Sequence, residues 1–343
     1  MNYEYLKWLS TTKSKWWHDS ADPNELMNSV KNSAVGATTN PFLINKTLSD
    51  LPEYWKEQLS NLPKDLKGKE KVKVVLGSVT KNLAKYVKDV YINTNGRQGY
   101  VCAQVNPNHP GDVDIMIELA KYYSSLGENI SVKLPGTKAG LTAMEECVAL
   151  GIPVTVTASY TVPQAIAIAE HYKKGAEKCK AKGKAPNRAF AVLMTGRLDD
   201  YLRDVAHDNL SNVTEDEIRW AGNAVAKRAY SIYKKCGYEP TIMPAGLRGV
   251  YHVTELAGAE MVFSVAPKIQ EMLSEANPVK EERIDREVNK KIIDKLMTMP
   301  EFVKAYEPDG MKEEQFITFG VEQKTLSQFV EVGWNPIEKF KLS

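Results

Sequence analysis

The sequence predicts an α/β protein built as a (β/α)8 TIM barrel with additional surface helices. Short apolar or β-branched runs recur eight times along the chain, and helical patterns fill the intervals between them. Eight alternating units can close a barrel, and an open, doubly wound sheet is the alternative. The eight runs are KWWHD (15–19), AVGATT (34–39), GYVCAQV (99–105), NISVKL (129–134), IPVTVT (152–157), AFAVLM (189–194), PTIMPA (240–245) and EMVFSVA (260–266).

Proline and capping signals predict where several helices begin. Pro41 in TTNPFLI and Pro163 in TVPQAIAIAEHY each stand just inside a helix start, where a missing N–H is tolerated. Thr214 and Glu217 form a capping-box pattern that opens a helical run to residue 235. Two further stretches carry predictions: 280–299 as an amphipathic surface helix, and the lysine-rich 173–188 as a solvated loop rather than a binding patch.

Length and composition favour one domain, residues 1–343, with a C-terminal helical tail from about residue 300. The chain has 343 residues, of which 43% are hydrophobic and 26% charged, enough for one large core. Forty-five basic and 43 acidic residues give a net charge of +2, and no basic block is interleaved with aromatics. No run reaches the ~18 apolar residues of a membrane span. We therefore expect neither a nucleic acid nor a membrane as a partner.

The spacing of cysteines and histidines predicts no metal site. The four cysteines show no CxxC pattern, and the five histidines form neither HxxxH nor HExxH. The first 17 residues lack the apolar core of a signal peptide. We expect a reduced, cytoplasmic location.

Lys133 poses the central question. It lies near the end of the apolar run NISVKL, and Pro135 and Gly136 follow closely. An uncompensated ammonium inside a core is costly. Lys133 is therefore either an end residue that reaches solvent or a neutral amine with a chemical task.

Other polar residues stand at the ends of the predicted strands, and these ends face the active site in a barrel of this kind. A neutral lysine can attack a ketone to form a Schiff base, which accepts electrons when the adjacent carbon–carbon bond breaks. A carboxylate can take the proton of the hydroxyl on the departing carbon, and arginines can hold a phosphate. The strand-end residues are Asp19, Thr38, Thr39, Asn40, Gln104, Lys133, Thr157, Arg197 and Arg248.

Five motifs resemble those of the transaldolase family, in the family's order. They are GATTNPFLI (36–44), VKLPGTKAGLTAM (132–144), GIPVTVTASYTVPQA (151–165), GRLDDY (196–201) and AGLRGVYHVTELAGAEMVFSVAP (245–267). The resemblance implies a class I enzyme without metal or cofactor. Such an enzyme moves a dihydroxyacetone unit from a ketose phosphate to an aldose phosphate, so sugar phosphates are the implied partners.

The resemblance also implies catalytic roles. Lys133 would form the Schiff base, Asp19 would be the general acid/base, and Thr157 would hold the catalytic water. Transaldolases have a glutamate at the end of the third strand, whereas Gln104 stands there in this chain, as in the similar fructose-6-phosphate aldolases. A glutamine can orient water but cannot ionise.

Substrate-binding roles follow from the same resemblance. Asn40 would hydrogen-bond the donor, Thr38 would line the same pocket, and Arg197 and Arg248 would bind phosphate. Four positions depart from the family's pattern near the donor or its phosphate, so the substrate is expected to differ from the usual one. They are Thr155, Val192, Met194 and Gly246.

Ordinary structural roles are the alternatives for single residues. Asp19 could cap the helix that begins near residue 23, although Asp22 is better placed for that role. Arg197 could pair with Asp199 or Asp200 at the surface.

Three functions remain open from the sequence. The first is transaldolase-like transfer, the second is an aldolase that uses dihydroxyacetone or a related ketone, and the third is a barrel that binds sugar phosphates without turnover. The oligomeric state also remains open, and a homo-oligomer is compatible with the sequence.

Overall fold

Eight parallel strands form a barrel in the computed structural model, which describes residues 1–341. They are β1 (Lys15–Asp19), β2 (Gly36–Thr38), β3 (Tyr100–Gln104), β4 (Ile130–Pro135), β5 (Val154–Thr157), β6 (Ala189–Leu193), β7 (Thr241–Pro244) and β8 (Val262–Val265). Each strand from β1 to β6 pairs with the next, and β8 pairs with β1. The ring closes where β7 packs beside β8. The predicted (β/α)8 barrel is confirmed, and each strand overlaps one of the eight predicted runs.

Helices follow the strands and form the outer layer. They are α1 (Glu4–Thr11), α2 (Pro23–Lys31), α3 (Pro41–Asp50), α4 (Pro52–Gln58), α5 (Gly68–Ala84), α6 (Lys88–Asn93), α7 (Val113–Ser125), α8 (Lys138–Ala149), α9 (Val162–Ala181), α10 (Thr195–Asp208), α11 (Glu215–Ile218), α12 (Ala221–Cys236), α13 (Tyr251–Thr254), α14 (Pro267–Ala276), α15 (Lys290–Leu296), α16 (Pro300–Tyr306), α17 (Glu313–Phe316), α18 (Gly320–Phe329) and α19 (Asn335–Lys339). A 3₁₀ turn spans Lys85–Val87, and a π-helical turn, Val330–Trp334, joins α18 to α19.

Three aromatic rings fill the interior of the barrel towards its N-terminal end. Trp17, Tyr100 and Phe190 come from strands that are not neighbours, yet the Phe190 ring centroid lies 4.6 Å from that of Trp17 and 5.8 Å from that of Tyr100. A Cβ atom on Gly36 would lie 2.5 Å from the Trp17 ring, so glycine is required there. The rings close this end, which leaves the C-terminal ends of the strands for polar side chains.

The predicted helix starts are present. Pro41 and Pro163 lie in the first turns of α3 and α9. The N–H of Thr214 donates to the Glu217 carboxylate, which confirms the capping box. The run after it is not one helix, because α11 ends at Ile218 and α12 begins three residues later.

The prediction of one amphipathic helix over 280–299 is wrong for most of its length, since only α15 is helical before residue 300. The N–H groups of Arg283 and Ile284 donate instead to the Ala257 carbonyl. The carbonyls of Arg283, Ile284 and Arg286 accept hydrogen bonds from the Lys227 ammonium at 2.6, 3.1 and 2.7 Å. These tertiary partners outweigh the helical propensity of the segment.

The lysine-rich stretch 173–188 is only partly the loop that the sequence predicts. Helix α9 continues through it to Ala181, and the irregular part is confined to residues 182–188. Cys179 and Ala176 are buried on one face of this extension, which explains why it stays helical.

Helices α16–α19 form the tail that begins at about residue 300. The π-helical turn between α18 and α19 lies at the open end of the barrel. A Cβ atom on Gly333 would lie 2.6 Å from the backbone nitrogen of Phe42, at the start of α3. Within residues 1–341 none of the helices is long and apolar enough to cross a membrane. The division into one domain remains a prediction, and its last two residues, 342 and 343, lie outside the described part of the chain.

Candidate active site

A cavity of about 450 Å³ opens at the C-terminal ends of the strands. It is lined by residues from seven strands or the loops that directly follow them, by the helices α2, α3, α10 and α14, and by Phe329 of α18. Seven of the eight predicted site residues line it: Asp19, Thr38, Asn40, Lys133, Thr157, Arg197 and Arg248. The eighth, Gln104, lines a small adjoining cavity that also touches Lys133 and Thr157.

Lys133 is buried on β4, with 6% of its surface exposed. In the strand register it stands between Gln104 of β3 and Thr155 of β5. Its Nζ atom donates to the Thr39 carbonyl at 3.1 Å, and within residues 1–341 it has no carboxylate partner. The alternative of a strand-end lysine that reaches solvent is therefore wrong, because the side chain is buried and ends inside the cavity.

Asp19 ends β1 and is held by a chain of hydroxyls. The Thr38 hydroxyl donates to its Oδ1 atom at 2.7 Å, and the Ser264 hydroxyl lies 2.7 Å from that of Thr38. Because Thr38 gives its proton to Asp19, Ser264 must donate to Thr38. Asp22 caps α2 by accepting from two backbone N–H groups, which excludes that role for Asp19.

Asn40 joins β2 to α3 and is the N-cap of that helix. Its Oδ1 atom accepts the Leu43 N–H at 2.9 Å, which fixes the side chain and leaves the Nδ2 group to face the cavity. The preceding Thr39 donates its hydroxyl to the Cys102 carbonyl at 2.7 Å. This bond fixes the backbone at Thr39, whose carbonyl accepts the hydrogen bond from Lys133 Nζ.

Gln104 and Thr157 line the small cavity, whose volume of about 10 Å³ is near the least that one water needs. Both side chains are buried, at 5% and 2% exposure. Within the described residues, neither Gln104 Oε1 nor Thr157 Oγ1 has a hydrogen-bond partner. Buried polar atoms are normally satisfied, so these two point to a water beside Lys133.

Arg197 lies in the first turn of α10 and is held by α18. Its guanidinium stacks on the Phe329 ring at 5.7 Å and lies 3.5 Å from the Thr325 hydroxyl. Burial lowers the pKa of the Arg197 guanidinium, and the charge of Arg248 lowers it further. The alternative pairing with Asp199 or Asp200 is wrong, since these carboxylates have other partners.

Arg248 lies in the loop after β7 and pairs with Asp200. Its Nε and Nη2 atoms lie 2.8 Å from Asp200 Oδ2, and Nη1 donates to the Gly246 carbonyl at 2.7 Å. The backbone there has a φ of +60° at Gly246, which favours glycine. The two arginines thus share one mouth, where they can hold a single phosphate.

Three of the four positions that depart from the family's pattern line the main cavity: Val192, Met194 and Gly246. Thr155 does not. Its hydroxyl lies 2.7 Å from that of Ser131 inside the barrel, and both are fully buried. Because Val192 and Met194 line the main cavity at the end of β6, its wall there is apolar.

Sequence reasoning missed Ser264 and Phe329. Ser264 lies inside the eighth predicted run, and its position at a strand end was a usable signal. Phe329 had none, because its place depends on how the tail packs across the barrel. In residues 1–341, no group of three or more His, Cys, Asp or Glu side chains could hold a metal ion.

Comparison with protein families matches residues 16–327 to the family described as transaldolase/fructose-6-phosphate aldolase. The match runs from β1 into α18, so it includes every residue of the candidate site except Phe329.

Curated relatives support the same relationship at low identity. The chain is 29% identical over 234 residues to transaldolase 2 of Nostoc sp. strain PCC 7120, covering 63% of this chain and 61% of the relative. It is 27% identical over 241 residues to the transaldolase of Trichodesmium erythraeum, covering 64% and 62%. Over 152 residues it is 32% identical to transaldolase 1 of Streptomyces avermitilis, covering 43% and 40%. The chain thus spans about three fifths of the length of the first two relatives.

Proposed function

The chain belongs to the transaldolase/fructose-6-phosphate aldolase family, and on this premise we propose that it transfers a dihydroxyacetone unit between sugar phosphates through a Schiff base on Lys133. One observation carries the proposal. Lys133 is buried at the end of a barrel strand and shares its cavity with Asp19 and Thr157. Simple binding of a sugar phosphate would need neither a buried lysine nor a carboxylate beside it.

The Lys133 amine attacks the ketone carbon of the donor sugar. Two proton transfers then release the carbonyl oxygen as water and leave an iminium. The small cavity lined by Gln104 and Thr157 gives that water a place beside Lys133. Before the substrate arrives, Lys133 Nζ donates a hydrogen bond to the Thr39 carbonyl, which holds the amine in place.

Asp19 removes the proton from the hydroxyl on the carbon that departs. The carbon–carbon bond breaks, the aldose leaves, and the electron pair moves into the iminium to give an enamine. The enamine then attacks the aldehyde of an acceptor, and Asp19 returns the proton to the new hydroxyl. The hydrogen bond from the Thr38 hydroxyl keeps the Asp19 side chain in place.

Arg197 and Arg248 bind the phosphate at the far end of the sugar. Arg197 is held by Phe329 and Thr325, whereas Arg248 is held by Asp200. A phosphate fixed at the mouth orients the sugar so that its ketone lies towards Lys133. Asn40 supplies an amide N–H group to the donor's hydroxyls.

A second candidate, an aldolase that releases free dihydroxyacetone, is favoured by Gln104. Its amide can orient the water but cannot carry a proton to or from it. Proton relay then depends on Asp19 or on the water itself. The main activity and the release reaction share every step as far as the enamine.

Exchange of units between sugar phosphates is the chemistry of the pentose phosphate pathway, and we propose that setting, in the cytoplasm, for this protein. A homo-oligomer is compatible with the proposal.

The test is a turnover assay with fructose 6-phosphate and erythrose 4-phosphate. We expect glyceraldehyde 3-phosphate and a seven-carbon ketose phosphate in equal amounts. Glyceraldehyde 3-phosphate with free dihydroxyacetone would support the aldolase instead. Tight binding of fructose 6-phosphate without any product would contradict both and support the non-catalytic alternative.

A further inference from the structure

Helix α18, in the C-terminal tail, contributes two side chains to the walls around Lys133. Phe329 lines both the main cavity and the small cavity beside Gln104 and Thr157, and Leu326 lines the small cavity alone. Their exposed fractions are only 3% and 9%. The small cavity is therefore closed on one side by the barrel and on the other side by helix α18.

Helix α18 is tied to the loop after β5 and to α10. The Tyr160 hydroxyl donates to Thr325 Oγ1 at 2.7 Å, and Arg197 lies 3.5 Å from the same atom. Thr325 is one helical turn before Phe329, so both face the barrel. These bonds set the position of the Phe329 ring over Arg197.

The π-helical turn that follows α18 is tied to α3. Gly333 packs so closely on Pro41 and Phe42 that a Cβ atom there would lie 2.7 Å and 2.6 Å from their atoms. The Asn45 side chain also donates to the Val332 carbonyl at 3.4 Å. Residues 320–334, which we call the roof segment, are thus fixed to the barrel mouth at the loop after β5, at α10 and at α3.

We propose that Leu326 and Phe329 of the roof segment limit the access of bulk water to the enamine on Lys133, and so set how often the enamine is transferred rather than released. The inference rests on the proposed function. In release, the enamine carbon gains a proton from water, and the hydroxide that remains takes up the proton that Asp19 removed during cleavage. The iminium is then hydrolysed to free dihydroxyacetone and the Lys133 amine. The water consumed replaces the water lost when the Schiff base formed, so the step balances without another reactant.

The same enamine can follow either route, and what differs is the partner that reaches its carbon. An acceptor aldehyde enters through the main cavity, whereas the small cavity has room for about one water. Removing an apolar wall from that cavity admits more water and favours protonation. Gln104 cannot ionise, so it cannot take protons away from the enamine. In this chain the apolar wall of Leu326 and Phe329 therefore matters more for protonation of the enamine than a proton relay does.

The experiment compares wild type with Phe329→Ala and Leu326→Ala, using fructose 6-phosphate and erythrose 4-phosphate. The readout is the ratio of free dihydroxyacetone to the seven-carbon product. We expect this ratio to rise several-fold in both variants. Val332→Ala is the matched control, because Val332 lies in the same segment but its side chain is 41% exposed and lines neither cavity.

A second readout measures water access directly. In D2O without acceptor, the released dihydroxyacetone gains deuterium at the carbon that was cleaved, and we expect this to proceed faster in Phe329→Ala than in wild type. Phe329→Leu, which keeps most of the apolar volume, should lie between them and provides a test if the alanine variant fails to fold.

Two results separate failure of the inference from failure of the function. If borohydride traps a Lys133 adduct in every variant but the product ratio and the deuterium rate equal those of wild type, the role of the roof segment is refuted and the function stands. If wild type itself forms no Lys133 adduct, the proposed function fails and the inference falls with it.

Discussion

The Nε2 atom of His252 lies 2.9 Å from Oδ2 of Asp199, and neither side chain is exposed to solvent. The Nδ1 atom of the same ring accepts the backbone N–H of Arg248 at 3.1 Å, so Nε2 must carry the proton and donate it. Asp199 also accepts the Gly222 N–H at 2.8 Å. The pair therefore joins α10 and α12 to the loop that carries Arg248, and the Gly222 bond explains why α12 begins where it does.

Replacing Asp199 with alanine should lower the free energy of unfolding by about 2–5 kcal/mol, because two buried donors lose their acceptor. Urea denaturation measures the change. The control is Asp208→Ala on the same helix, where the side chain is 79% exposed and pairs only with an exposed histidine. Equal stabilities of the two variants would contradict the structural role of the pair.

Ser264→Ala should lower kcat about fivefold with little change in KM, which corresponds to the loss of one hydrogen bond of about 1 kcal/mol. Without Ser264, the Thr38 hydroxyl loses the donor that directs its own proton to Asp19. Ser264→Thr keeps the hydroxyl and should restore most of the rate. Steady-state kinetics that place both variants at the wild-type rate would refute the orienting role.

Gln104→Glu should shift the products towards transfer, because a carboxylate beside the water can hold a proton that the amide cannot. The measurement is the ratio of seven-carbon product to free dihydroxyacetone. Gln104→Asn retains an amide and should not produce the shift. An unchanged ratio in Gln104→Glu would remove Gln104 from the account of that balance.

Glu322 lies in the roof segment, fully buried, and within residues 1–341 neither carboxyl oxygen has a hydrogen-bond partner. Burial raises its pKa well above the ordinary value of 4.5. At pH values below the ordinary pKa of 4.5, the Glu322 carboxyl is neutral in the folded and the unfolded chain alike. As the pH rises further, the unfolded chain loses this proton while the folded chain keeps it, so stability falls by up to about 1.4 kcal/mol per pH unit until the folded pKa is passed.

Glu322→Gln stays neutral at every pH and should therefore gain thermal stability relative to wild type between about pH 5 and about pH 8. The measurement is the difference in Tm between Glu322→Gln and wild type at each of the two pH values, and this gap should be larger at about pH 8. Glu331→Gln, at an exposed position of the same segment, should show no such trend. A Glu322→Gln gap that is constant with pH would mean that this carboxyl is not buried in its neutral form.

The barrel and most of its site could be predicted because they depend on local patterns. Each strand is a short apolar run, and parallel strands bring their end residues together, so Lys133, Asp19 and Thr157 were predicted to meet at one mouth. Sequence motifs placed Arg197 and Arg248 there as well.

Other features depend on contacts between distant parts of the chain, which no local pattern carries. The segment 280–289 has a helical pattern, yet its carbonyls bind Lys227 and its N–H groups bind Ala257. The sequence offered only the neighbouring Asp199 and Asp200 as alternative partners for Arg197, whereas the folded chain places Phe329 and Thr325 beside it.

The central claim is that Lys133 forms a Schiff base with a sugar phosphate. The most direct test is to incubate the protein with fructose 6-phosphate, reduce with borohydride, and locate the adduct by peptide mass spectrometry, with Lys133→Arg as the control because a guanidinium cannot form the bond. We predict an adduct on the peptide that contains Lys133 in wild type, and none on the corresponding peptide of the variant. An adduct on a different lysine, or none in the folded wild-type protein, would contradict the account.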